Sequence, residues 1–360
     1  MAVSVSAKKR KLSDGFFEDD DKDQFSMYVT KLEPVLADDY TKGVQFACMM
    51  FVHFTIQKQY KELTTHLPMP RLQHLKRVKK DLSNKDHPLS VLLCPDDKNQ
   101  SSEDGNPKPC HRTPSLRELC PAIDLPDDVV GGTYTVLVPS RAPLTRAQFE
   151  AASAVWPTTF HEDKYISRLL TGPILTCEEQ EYAEDYMKFA ITVARRGRQL
   201  QQDSAGCSDG CVIVDPNTKK LLIAAHPVTK QHPLHHAVMV AIDLVAKQQG
   251  AGSYTYRGEH LFIANTGELP AEQTSEKTGP YLCTGYDVYV TAEPCIMCSM
   301  ALVHSRIRRL YYGDPSPDGA LGTKYKLHTQ PGLNHKFEVF RGLLMKDHTV
   351  SGVLNSSVDA

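Results

Sequence analysis

The sequence predicts an α/β protein in two parts: a C-terminal three-layer α/β/α domain with a mixed sheet, and an N-terminal α+β domain. Three observations carry this. From about Thr176 onward, strand-length apolar runs alternate with helix-length segments, the pattern of a layered α/β domain. Upstream, Val44–Ile56, Leu89–Pro95 and Thr133–Pro139 read as strands with polar or helical stretches between them. The chain has 360 residues, enough for two domains with cores of their own.

Composition narrows the function classes. Apolar residues make up 41% and charged residues 23%, ordinary values for a soluble globular protein. The net charge is −2, so any nucleic-acid surface must be a local patch. The ten cysteines are irregularly spaced and no secretory apolar segment opens the chain, which reads as reduced thiols in an intracellular protein. The longest apolar run, "VQFACMMFVHFTI", contains Gln45, His53 and Thr55 and is too short to span a bilayer, so no membrane role is expected.

Residues 1–23 juxtapose Lys8-Lys9-Arg10-Lys11 with "EDDDKD", a disordered charged arm. The basic four-mer is either a nuclear-import signal or a solvated tail; the localisation expected is nucleus and cytoplasm. Residues 24–154 form the N-terminal domain. Gln57–His66 and Ser115–Cys120 read as helices, and Arg71–Leu82 as either strand or helix. With Arg71–Lys80 extended, the order is β-α-β-β-α-β, the ferredoxin-like split motif. Residues 155–175 form a connector, entered by a helix in "TRAQFEAASAVWP" and anchored by packing of Trp156.

In the domain 176–360, Tyr182, Tyr186, Phe189, Ala190 and Val193 fall at helical spacing. Glu178 and Glu179 at its start and Arg195, Arg196 and Arg198 at its end suit the helix dipole. "CVIVDPNTKKLLIAAH" is a hairpin turning at Asp-Pro-Asn-Thr. "HHAVMVAIDLVAKQQG" is a helix, "YDVYVTAEP" a strand, "CIMCSMALVHSR" a helix and "IRRLYYG" a strand. Another strand lies around Phe337–Phe340, and Glu268–Pro280 is a polar insertion.

Cys295 and Cys298 follow a strand directly, with Pro294 suited to the first helical turn. A helix start favours thiolates, and two thiolates at that spacing can grip one tetrahedral metal. A third ligand is required. His236 begins the other helix, and two helices rising from one sheet edge bring their first turns together. One imidazole and two thiolates suit Zn2+, with a fourth position left for water. His235 and His232 compete with His236 for this place.

The signature H-x-E followed by P-C-x-x-C belongs to zinc-dependent deaminases. The chain resembles the cytidine/deoxycytidylate deaminase superfamily. Within it the chain is similar to the tRNA adenosine deaminases, through "EPCIMCSMALVHSRI", "RLYYG" and "LNHKFEV", over roughly Glu178 to Leu344. The resemblance selects His236, because Ala237 follows it as in the family's H-A-E. It also shows what is missing: Val238 occupies the position of the catalytic glutamate. In the family that glutamate moves protons for a zinc-activated water, work worth at least ~10²–10⁴-fold. Glu293 has a counterpart in the family's E-P-C and reads as structural. Asp243 lies two turns from His236, too far to substitute.

The resemblance therefore implies a non-catalytic subunit. Its partner is a catalytic tRNA adenosine deaminase subunit carrying H-A-E, and the heterodimer converts wobble adenosine 34 of tRNA to inosine. The zinc would staple two helix starts, its fourth position closed by a protein group such as the C-terminal tail ending at Ala360. For tRNA contact the candidates are Arg71, Lys76, Arg77, Lys79 and Lys80, within "RLQHLKRVKK". A solvated charged face is the alternative. Two rival functions stand beside this: an active nucleoside or nucleotide deaminase using an unidentified acid, and a zinc-stabilised scaffold with no RNA role.

Overall fold

The computed structural model describes residues 25–54, 66–69, 72–80, 89–95, 115, 118, 121, 130–201, 209–256, 262–263 and 280–346. The arm at Lys8–Lys11, Arg71, the helices expected over Gln57–His66 and Ser115–Cys120, nearly all of the insertion Glu268–Pro280, and the C-terminal tail lie wholly or largely outside these residues. The chain folds as two compact units, one of residues 38–172 and one joining residues 1–37 to 173–360. The division differs from the expected boundaries. Strands β1 (Tyr28–Val29) and β2 (Glu33–Pro34) pair with strands at the far end of the chain, so residues 25–37 belong to the C-terminal unit. No local pattern announces this, because an edge strand of two residues takes its partners entirely from elsewhere.

The unit 38–172 opens with the short helix α1 (Asp38–Thr41) and holds a four-stranded sheet. Its strands are β3 (Phe46–Phe54), β4 (Val78–Lys80), β5 (Leu89–Pro95) and β6 (Val130–Pro139). Their order across the sheet is β4-β5-β3-β6, every pair antiparallel. This is the strand arrangement of the split β-α-β motif. The basic segment resolves into a turn over Leu72–Lys76 and a strand of three residues. Helix α2 (Arg146–Val155) starts with a capping box: Thr145 Oγ1 accepts from Gln148 N–H at 3.3 Å while Gln148 Oε1 accepts from Thr145 N–H at 3.2 Å. Helix α3 (Lys164–Thr171) lies within the expected connector and is capped by Asp163. Trp156 is 2% exposed and packs with Met49, Leu72, Leu75, Leu92 and Val138. Its Nε1–H donates to the Lys76 carbonyl at 2.7 Å. It is thus a core residue of this unit, with its one polar atom satisfied.

The other unit is a three-layer sandwich. Its strands β7 (Cys211–Asp215), β8 (Lys220–Ala225), β9 (Phe262–Ile263), β10 (Asp287–Ala292), β11 (Arg309–Asp314) and β12 (Glu338–Arg341) join β2 in the order β2-β12-β11-β10-β7-β8-β9. β10, β11 and β12 run parallel, while β10–β7, β7–β8, β8–β9 and β12–β2 are antiparallel. A final strand, β13 (Met345–Lys346), pairs with β1. The β7–β8 turn is set by Asp215, whose carboxylate accepts from Asn217 N–H at 2.9 Å and Thr218 Oγ1 at 2.8 Å, an Asx turn.

The two-residue period of the strands separates the layers. Ile213, Ile223, Val288, Val290, Leu310 and Val339 face one core, shared with helices α5 (Ala237–Gln248) and α6 (Ile296–His304). Tyr289, Tyr311 and Phe340 stack on the opposite face, ring centroids 4.8 and 5.1 Å apart, and Tyr186 of helix α4 (Cys177–Gln201) meets Tyr289 at 5.2 Å. Three residues separate the end of β10 from the start of α6; α5 starts on the same side of the sheet after β8. Among the described residues, no helix is long and apolar enough to cross a membrane, and the cysteines are all free thiols.

Candidate metal centre

His236 and Cys295 are the N-caps of α5 and α6, both with extended backbone and neither side chain used in capping. A Ser or Asp at these positions would serve as an ordinary cap; here the two caps are an imidazole and a thiol, side chains able to bind a metal. Cys298 lies one turn into α6, on the same side as its N-cap. Pro294 stands just before the N-cap, two positions earlier than expected, because the helix begins after Cys295 rather than at the proline.

The ligand atoms of His236, Cys295 and Cys298 all lie within 4.8 Å of one another. Nδ1 of His236 is 3.7 Å from Sγ of Cys295 and 3.6 Å from Sγ of Cys298. A tetrahedral ion with Zn–N near 2.0–2.1 Å and Zn–S near 2.3 Å separates its nitrogen and sulfur ligands by about 3.6 Å. The donor set and its spacing thus fit zinc. The two sulfurs are unequal: the hydrogen bond with Cys298 holds the Cys295 thiol down at about 5, and the same bond, with burial, pushes Cys298 up. His235 does not join the cluster. It is buried, packed edge-on against Tyr254 and Tyr256 with centroids 4.7 and 5.4 Å away. The His232 ring lies tilted beside it, centroids 4.9 Å apart.

Val238 is 3% exposed and belongs to the apolar core that includes Cys298. No proton-bearing group stands at this position of α5. Glu293 does not replace it. The side chain is buried, and Oε1 accepts from the N–H groups of Leu321, Gly322 and Thr323 at 2.9, 2.7 and 3.0 Å. Oε2 accepts from Ser316 N–H at 3.3 Å and from the Thr323 hydroxyl. A carboxylate with this many fixed donors holds a loop, and that loop crosses back to the metal centre through the Cys295–Gly319 bridge. Asp243 is seven residues after His236; its Oδ1 accepts from Ser253 N–H at 2.8 Å.

The matches to known proteins agree in both halves of the chain. Residues 55–156 match the tRNA-specific adenosine deaminase TAD3 N-terminal domain. Residues 180–314 match the cytidine and deoxycytidylate deaminase zinc-binding region. A relative from Danio rerio named "Probable inactive tRNA-specific adenosine deaminase-like protein 3" is 40% identical over 87% of this chain and 91% of its own length. The chain belongs to the TAD3 family. A human relative of the same name is 39% identical over 86% of this chain and 89% of its own. The Schizosaccharomyces pombe "tRNA-specific adenosine deaminase subunit tad3" is 28% identical over 84% of each chain.

In this TAD3-family chain the tRNA candidates divide into two kinds. Lys76 and Lys80 are exposed. Arg77 is turned inward, Nε donating to the Leu92 carbonyl at 3.0 Å and an Nη to the Leu93 carbonyl at 3.4 Å. Lys79 donates to the Val155 carbonyl at 3.3 Å and lies 5.5 Å from the Trp156 ring centre. Sequence reasoning also missed Asp209. Burial raises its carboxyl above the ordinary range. Its only sequence signal is an acid just before a strand, which is too common to single out.

Proposed function

We propose that this chain is the catalytically inactive, structural and tRNA-docking subunit of a heterodimeric tRNA adenosine deaminase. Its partner is the catalytic subunit with an intact H-A-E motif, and the pair converts adenosine 34 at the wobble position to inosine. One observation carries the reading: the metal ligands His236, Cys295 and Cys298 are assembled, while the position of the proton-transferring acid holds buried Val238. The names of the relatives support it.

Zinc at this centre would supply Lewis acidity and a cross-link between helix starts. Only the cross-link has a use here. His236 and Cys295 hold the first turns of α5 and α6 together, and Glu293 fixes the adjoining loop. The surface built on these elements is thereby rigid enough to meet a partner. For tRNA docking the unit 38–172 offers Lys76 and Lys80 to phosphates, while Arg77 and Lys79 hold the strand that presents them. The basic run Lys8–Lys11 serves nuclear import, giving nuclear and cytoplasmic pools; tagged chains with that run replaced by alanine would lose the nuclear pool.

The deciding experiment measures inosine formation at position 34 with this chain alone, the H-A-E subunit alone, and both together. Activity confined to the mixture is expected. Activity with this chain alone would make it a deaminase with another acid. No effect in any combination would make it a scaffold without an RNA role.

A further inference from the structure

Asp209 has no role in the reading above. It precedes Gly210, whose N–H donates to Thr291 Oγ1 at 3.0 Å and whose carbonyl accepts from Thr291 N–H at 3.1 Å. The β7–β10 ladder therefore continues one residue beyond β7. Asp209 comes next, at the level of Ala292 and three residues from Cys295 along the neighbouring strand. Alternation fixes its face. Gly210 is pressed against α4, where an added Cβ would run into the Ala190 carbonyl. Asp209 then shares the face of Cys211 and Ile213, the face covered by α5 and α6.

That is the side from which His236, Cys295 and Cys298 project. Asp209 lies close enough to His236, Cys295 and Cys298 for its charge to act on them. Arg198 and Lys346 are the cations near enough to oppose its charge. Asp209 is not a member of the compact ligand cluster, so it is placed as an outer group rather than a ligand.

We propose that Asp209 is the carboxylate of this metal centre, facing the fourth coordination position from the sheet edge in place of the acid missing at Val238. It is a positioning residue. Its negative charge adds to that of the thiolates, favours a divalent cation, disfavours anions at the open position and accepts a hydrogen bond from a neutral donor there. Outer partners of this kind are worth about 10–100-fold in metal affinity.

The inference rests on the zinc reading, and the two can fail separately. The test uses the full chain with Co2+ in place of zinc and follows the visible d–d bands while thiocyanate is added. Relative to wild type, Asp209→Asn should bind thiocyanate roughly tenfold more tightly or better, the effect of one unit charge beside a partly buried site, and should hold zinc about 10–100-fold more weakly. Asp209→Glu should restore the wild-type response, and Val238→Ala should leave it unchanged. Equal thiocyanate affinity in wild type and Asp209→Asn overturns the proposal. If Asp209→Asn does not fold, a crystal structure of the zinc-loaded wild type decides: a carboxylate facing the fourth position supports the proposal, and one turned away onto Arg198 or Lys346 overturns it. Undiminished cobalt in His236→Ala and Cys295→Ser would instead overturn the zinc reading itself.

Discussion

Glu293 Oε1 lies 2.7 Å from the backbone nitrogen of Gly322. The same oxygen accepts from Leu321 and Thr323, and Gly319 approaches so closely that a Cβ there would strike the carboxyl group. Charge-assisted bonds to a buried carboxylate are the strong kind, and an unmade one carries the full cost of desolvation. Glu293→Gln swaps one acceptor for an amide that faces N–H donors, and is expected to cost about 2–4 kcal/mol of stability. Gly319→Ala should destabilise by a similar mechanism. Because the two sites touch, the double variant should lose less than the sum. Denaturant melts of the four proteins check this; strict additivity would refute the coupling.

The metal ligands should act as one unit. Removing the ion with a chelator, or replacing Cys298 by Ser, is expected to lower stability by about 3 kcal/mol or more, some 6–12 °C in Tm for a domain of this size. Metal content measured by elemental mass spectrometry should fall from one ion per chain towards none. The Cys298→Ser variant should then be insensitive to chelator, a result that an indirect packing defect would not produce.

The basic segment should show two separate phenotypes. Lys76→Ala with Lys80→Ala should weaken tRNA binding and flatten its log–log salt dependence by about 1–2, with the melting curve unchanged. Arg77→Ala should cost about 1–2 kcal/mol through its lost bonds to the Leu92 and Leu93 carbonyls, with the salt slope retained. Fluorescence anisotropy across a salt series, beside thermal melts, separates the two.

His328 gives an acid-side pH dependence. It is buried against Phe337 and donates Nε2–H to the Val35 carbonyl at 2.8 Å, tying the segment after β2 to the sandwich. Burial depresses its pKa below the ordinary histidine value. A depressed folded-state pKa means the unfolded chain binds the proton more readily. Stability from this residue is therefore fully present above about pH 6.5 and is lost as pH falls towards the folded value. His328→Gln should flatten that part of the stability profile, measured by urea denaturation between pH 7.5 and 5.

Much of the sandwich was legible in the sequence. The hairpin at Asp215, the helices α4, α5 and α6 and the strands β10, β11 and β12 all carry strong periodicity or turn chemistry within a short window. The candidate metal ligands were legible for a different reason: a C-x-x-C at a helix start is a local geometry, and the H-A pair at His236 and Ala237 resembles the family's H-A-E where His235 and His232 do not. The N-terminal half was harder. Three strands of the four-stranded sheet were clear apolar runs, but Val78–Lys80 is three residues long with two lysines, and only its pairing with β5 makes it a strand. β1 and β2 have two residues each and no pattern to read.

The sequence by itself determined the layered fold, the candidate ligands His236, Cys295 and Cys298, and the absence of an acid at Val238, because each is carried by a short local pattern or a motif of the family it resembles. The tertiary structure decided the rest. It assigned residues 25–37 to the C-terminal unit, turned Arg77 and Lys79 inward, committed the Glu293 carboxylate to a loop and set Asp209 on the sheet face that α5 and α6 cover. These depend on strand register between segments tens to hundreds of residues apart, and register is fixed by cross-strand hydrogen bonds and burial that no local window contains.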